Sequence, residues 1–125
     1  MTLVLDTGAL LAIEWRNRAV LAAIRRAHEE GVPVRTSSGA VAQTWRNGAR
    51  QVRLATALRG IDEHAIDAGA SRRVGRLLAD AGTSDVIDAH VATLCDPNAV
   101  LLTSDPDDLD HLAATRGVDV IIERV

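Results

Sequence analysis

The sequence predicts an α/β fold, a layered domain built on a mostly parallel sheet, and three observations carry that expectation. The apolar runs in "LVLD", "AVLLT" and "VDVII" are continuous rather than alternating, as in strands covered on both faces. Longer segments with apolar residues at helical spacing separate them. The 125 residues fit one domain, expected to span 1–125, with a core large enough to need no staples.

Taken in order, "LVLD" (3–6) is a buried strand ending in an acid and a Gly turn. "ALLAIEW" and "RAVLAAIRRAHEE" follow as helices, the second with Val20, Leu21, Ile24 and Ala27 on one face. Gly31 stops that helix, because a C-cap needs a left-handed backbone that glycine adopts freely. "VPVRT" (32–36) is the next strand. Ser37 or Ser38 can cap the helix "AVAQTWRNGARQVRLATAL", which Gly48 is placed to break. "LRGIDE" is a candidate strand. Ile66, Ala70, Val74, Leu77 and Leu78 then mark a helix ending at Gly82. "DVIDAHVATLC" is helical, "AVLLT" (99–103) a strand, "PDDLDHLAATRG" a helix and "VDVII" (118–122) the last strand.

Composition excludes several functions. With 47% hydrophobic and 25% charged residues, the chain reads as an ordinary globular protein. No apolar run is long enough to cross a bilayer, and "MTLVLDTG" lacks a basic flank and a cleavage site, so a cytoplasmic location is expected. The single Cys95 permits neither an internal disulfide nor a cysteine zinc site. All 14 basic residues are Arg, which removes lysine Schiff bases and phosphate-loop lysines. A net charge of −3 argues against non-specific nucleic-acid binding but leaves room for a local basic face. Trp15 and Trp45 are the only large aromatics, and packing or an interface suits them better than base stacking.

The acids are more informative. Asp6 ends the first strand, Asp105 follows "AVLLT" by two residues, and Asp85 and Asp88 open a helix on one face. Ligands of open parallel sheets bind beyond the carboxyl ends of the strands, where these segments can meet. Helix capping is the competing explanation: Asp105-Pro106-Asp107-Asp108 is a good local helix start, and Asp85 with Asp88 reads the same way. Asp6 resists it, since a buried acid is costly unless paired and nothing nearby in the sequence pairs it. An all-oxygen ligand set without Cys or paired His selects Mg²⁺ or Mn²⁺ and suits phosphoryl transfer. His28, His64, His90 and His111 are scattered, as structural or surface histidines are.

"LVLDTGALLAI", "SDVIDAHVATL" and "AVLLTSDPDDL", in that order, resemble the PIN-domain ribonucleases, and among them the VapC-type toxins of bacterial toxin–antitoxin pairs. The resemblance implies a three-layer α/β/α domain whose acids bind Mg²⁺ or Mn²⁺ and cleave RNA. It further implies inhibition by a small cognate antitoxin and homodimerisation. Carried over, Asp6 matches the first acid, Asp88 the acid opening the later helix with Asp85 one turn earlier, and Asp105 the last, with Asp108 ranked lower. Catalysis is thus expected from Asp6, Asp88 and Asp105, with Asp85 as an added metal ligand.

One position departs from the family. A Glu is usual in the helix after the second strand, where this chain has Gln43, which offers a carbonyl oxygen but no charge. That weakens the case for two metals more than for one, although Glu14 is a candidate to compensate. Arg46, Arg50 and Arg53 follow Gln43 at helical intervals and would form a basic stripe if the helix survives Gly48. Such a stripe could contact RNA phosphates or an antitoxin, or simply be solvated. Arg72, Arg73 and Arg76 read as solvated.

Two alternatives compete. "LVLDTGALL" mimics the Asp-Thr-Gly signature of aspartic proteases, but the remaining chain is helical where those folds are strand. The second is a PIN-like binding module with weak or no activity, favoured by Gln43. Retention of three mutually repelling acids counts against it, since shedding them would stabilise the fold.

Overall fold

The computed structural model describes residues 1–125 as β1 (Leu3–Leu5), α1 (Thr7–Glu14), α2 (Arg18–Glu29), β2 (Val34–Ser37), α3 (Ser38–Thr44) and α4 (Val52–Leu58). These lead into β3 (Asp62–His64), α5 (Ala68–Ala81), α6 (Val86–Thr93), β4 (Ala99–Thr103), α7 (Pro106–Arg116) and β5 (Val120–Arg124). All five strands are parallel, in the order β3-β2-β1-β4-β5. This is the expected α/β architecture with a parallel sheet.

Strand pleating divides the core. Leu3 and Leu5 face a cluster with Leu10, Ile13, Val20, Ile24 and Leu54, contributed by α1, α2 and α4. Val4 and Leu101 face the other way, onto Val74, Leu77, Val91, Leu109 and Leu112 of α5, α6 and α7. Successive residues of a strand point to opposite faces, so a short, wholly apolar β1 feeds both clusters. Helices therefore cover each side of the sheet in three layers.

Several boundaries follow from particular residues. Gly31, Gly82 and Gly117 all have φ near +70°, a conformation that favours glycine, and the latter two are the C-caps of α5 and α7. Leu21 lies 38% exposed, so the buried stripe of α2 is Val20, Ile24 and Ala27 alone. β5 starts two residues later than "VDVII" suggests. No helix is long and apolar enough to cross a membrane.

The helix is interrupted around Gly48, where the sequence placed a break. α3 stops at Thr44, and Gln51 reaches back over the gap. Its Oε1 accepts the Arg46 and Asn47 N–H groups at 2.7 and 3.0 Å, while its Nε2 donates to Thr44 O at 2.7 Å. Glu14 then supplies the cap that Gln51 does not, accepting Leu54 N–H at 3.1 Å. Arg46, Arg50 and Arg53 consequently share no helix face: the first two lie in the loop and Arg53 lies in the first turn of α4. The basic stripe proposed from spacing is absent, because side chains satisfy the backbone in the gap better than a glycine-containing helix would.

Candidate acidic site at the switch point

Strand order reverses between β1 and β4. From β1 the chain builds outward through β2 and β3, then crosses to β4 and builds outward to β5. A crevice opens at the carboxyl ends of strands flanking such a switch point. Asp6 leaves β1 there, and Thr103, Ser104 and Asp105 leave β4 beside it.

Asp6 is 3% exposed, and both its oxygens are satisfied. Oδ1 accepts Ala9 N–H at 2.9 Å as the N-cap of α1, and Oδ2 accepts the Thr103 hydroxyl at 2.5 Å. The partner absent from neighbouring sequence is therefore 97 residues away. Thr103 Oγ1 also accepts Asp105 N–H at 2.8 Å, so one buried hydroxyl couples two acidic segments. Burial still pushes the Asp6 carboxyl above its ordinary range, against the opposing hydrogen bonds.

The cap explanation fits the acids unequally. Asp85 is a conventional N-cap whose Oδ1 accepts Asp88 N–H at 2.9 Å. Asp105 occupies the cap position of α7 but makes no capping bond with its side chain. Its carboxylate instead joins those of Asp88 and Asp108, with one oxygen of each lying within 4.8 Å of the others. Asp108, ranked lower from sequence because it sits further into the helix, thus joins Asp88 and Asp105 directly. Proline at N1 starts α7 abruptly, which turns Asp105 and Asp108 toward the same space one helical turn apart.

These carboxylates disturb one another. Partial burial, then the charges of Asp85, Asp105, Asp6 and Asp108, push the Asp88 carboxyl up to about 7. Asp105 is also raised, first by its hydrogen bond with Asp108, then by burial and the surrounding acids. Carboxyl groups crowded in this way are short of positive charge. Helix N-termini of α1, α6 and α7 contribute some, but no Arg or His forms an ion pair with any of these acids. Their oxygens are hard ligands whose mutual repulsion a divalent cation would relieve.

Gln43 borders the site through Thr7, whose hydroxyl donates to Gln43 Oε1 at 2.5 Å. Glu14 does not compensate there, being engaged with α4. Gly8 permits the close approach of β4's exit to α1: a Cβ at that position would lie 2.1 Å from Ser104 Oγ and 2.4 Å from its Cβ. Neither Gly8 nor the bridging role of Thr103 was legible from spacing, although "DTG" and "TSD" flank the two strand ends. His90 is buried, with Nδ1 2.6 Å from Ser37 Oγ, and serves to join α6 to β2.

No protein-family model and no curated protein matches the sequence. Among solved structures, a chain in the crystal structure of VapBC2 from Rickettsia felis, bound to a DNA fragment from their promoter, is similar to it over 100% of this chain and 99% of that one. The TM-score is 0.65 at 17% identity. The two chains therefore share a fold. The Asp-Thr-Gly protease alternative ends here, since its signature opens a helix on a parallel sheet.

The raised Asp88 carboxyl has a consequence for stability. Between pH 3.8 and about 7 the native state keeps a proton that the unfolded chain releases, so this group's contribution falls as pH rises through that window. Asp88→Asn should therefore melt several degrees above the parent at pH 8 in EDTA, with the gap closing near pH 4. Circular dichroism melts at the two pH values measure it, and a variant no more stable at pH 8 would contradict the electrostatic account.

Proposed function

We propose that this chain is a divalent-metal-dependent endoribonuclease of the VapC type, the toxin partner of a small antitoxin. The observation that carries this reading is the meeting of Asp88, Asp105 and Asp108, beside buried Asp6, at the one switch point of a PIN-like sheet. Asp88, Asp105 and Asp108 would hold Mg²⁺ or Mn²⁺, with Asp6 supplying negative charge behind them. The ion would polarise a phosphodiester and stabilise the charge that develops on it during hydrolysis.

The protein's own groups hold this arrangement in place. Thr103 fixes Asp6 and the backbone of Asp105 relative to each other, so the acids need little reorganisation on cation binding. Asp85 fixes the first turn of α6 and hence the direction of Asp88. Its carboxylate lies outside the closest group, so in this reading Asp85 would chiefly orient Asp88 at the edge of the metal site.

The toxin–antitoxin assignment draws on the resemblance and on the neighbour, itself a VapBC complex. Trp15 and Val52, 74% and 62% exposed, and Trp45, 39% exposed, offer apolar surface for a protein partner, either the antitoxin or a second copy of the chain. RNA is taken as substrate on the resemblance, and a cytoplasmic site of action fits that partner set.

Cleavage of a mixed RNA pool with and without Mn²⁺ tests the nuclease assignment. Wild type should cleave only with the ion, and Asp6→Asn should reduce the rate at least ~100-fold, as loss of electrostatic stabilisation by one group does. Equal metal-independent cleavage by both proteins would remove the assigned site.

A weakly active binding module remains the second reading because Gln43 brings no charge to the site. Gln43→Glu should lower the Mn²⁺ concentration for half-maximal cleavage severalfold, whereas Gln43→Ala should leave it nearly unchanged. Wild type inactive at every Mn²⁺ concentration, with activity appearing only in Gln43→Glu, would favour the binding module.

A further inference from the structure

The largest recess of the molecule lies away from the acidic cluster. It measures about 320 Å³ and is lined by Arg73, Arg76, Leu77 and Asp80 of α5, Thr93 at the end of α6, and Thr115 and Arg116 at the end of α7. Three guanidinium groups thus meet around one carboxylate. None of them has an acidic partner within 4.0 Å, since the only ion pair in the chain joins the Met1 amino group to Asp96. In a chain of net charge −3, an unpaired basic recess is a local reversal of sign.

Arg116 has a structural task that also builds the recess. Its Nη1 donates to Ala92 O at 2.6 Å and Cys95 O at 2.9 Å, closing the C-terminal end of α6. Those bonds leave the rest of a half-buried guanidinium fixed against the wall. Arg73 and Arg76, three apart on one face of α5, are exposed and have no such task.

Position relates this recess to the acidic site. His111 and Leu112 line the crevice that holds Asp85, Asp88 and Asp108. Thr115 and Arg116, one turn further along α7, line the arginine recess. From Asp108 to Arg116 the helix advances about 12 Å at 1.5 Å per residue. That distance covers roughly three to four stacked nucleotides at about 3.4 Å each.

We infer that the Arg73–Arg76–Arg116 recess binds the phosphodiester backbone of the RNA substrate a few nucleotides from the bond being cleaved. The inference rests on the ribonuclease reading of the acidic site and extends it. Guanidinium forks match the paired oxygens of a phosphate, and Thr93 and Thr115 add hydroxyls of the kind that contact nucleic-acid backbones. Such contacts give affinity without sequence preference, and they separate anchoring from the acids that would repel RNA in the absence of a cation.

Arg73→Gln/Arg76→Gln tests this without touching Arg116 or any acid. Binding of a fluorescein-labelled 12-nucleotide RNA is measured by anisotropy in EDTA across a salt series, so the reading does not depend on cleavage. The double variant should bind about 10-fold more weakly at low salt. Its log–log salt slope should be shallower by about 1.4, at about 0.7 per phosphate contact on a single strand. In Mn²⁺ its KM for RNA should rise with kcat unchanged. Binding and salt slope equal to wild type would overturn the inference, as would a variant whose only change is its oligomeric state by light scattering. Wild type that binds RNA through these arginines yet never cleaves it would instead overturn the nuclease reading and leave the recess assigned.

Discussion

Thr103 donates its hydroxyl to the buried carboxylate of Asp6 and accepts the backbone N–H of Asp105. Through that one side chain, the exits of the two central strands are held at a fixed separation. Together with the Ala9 N–H on its other oxygen, this contact partners the whole Asp6 carboxyl, whose burial would otherwise be costly. Gly8 allows the same approach from the other side, since any side chain there would meet Ser104. The switch point is thus assembled by short polar contacts, and the acids of α6 and α7 arrive at a location already set by the sheet.

What arrives is a concentration of like charge. Asp88 is raised to about 7, with burial the larger cause and the surrounding acids adding to it. Asp105 is raised as well, with the neighbouring Asp108 carboxyl the first cause. Purely structural caps would not need this: Asp67 and Asp85 close their helices with side-chain bonds, while Asp105 leaves its carboxylate free to join the cluster. The arrangement weakens the cation-free fold, and a bound cation would offset the repulsion directly.

Much of this was legible in the sequence. Continuous apolar strands and spaced glycines indicated the layered parallel sheet, and the placement of Asp88 and Asp105 at element ends indicated where the acids gather, though the third member of that group is Asp108 rather than Asp6. The strand order was not legible, because Leu3–Leu5 carries no mark of which strands flank it. The pairing of Asp6 with Thr103 was equally hidden, being a contact between distant segments. The arginine stripe failed for a different reason: spacing describes a helix only while the helix continues, and Gln51 and Glu14 satisfy the backbone where it stops. Arg73 and Arg76 are exposed, as the sequence suggested, and the recess they form was hidden because its third arginine, Arg116, comes from another helix.

In the proposed reading, the acidic and arginine-lined recesses on successive turns of α7 would divide the demands of handling a polyanion, one drawing a cation and the other the phosphate chain. The acidic half is the premise of both. Crystals soaked in Mn²⁺ and measured at an anomalous wavelength address it most directly. The account requires a peak bonded to carboxylate oxygens of Asp88 and Asp105 at about 2.0–2.3 Å, with Asp108 or Asp6 completing the set. A map with no peak among these side chains at saturating Mn²⁺, or with the ion bound elsewhere on the molecule, would contradict it.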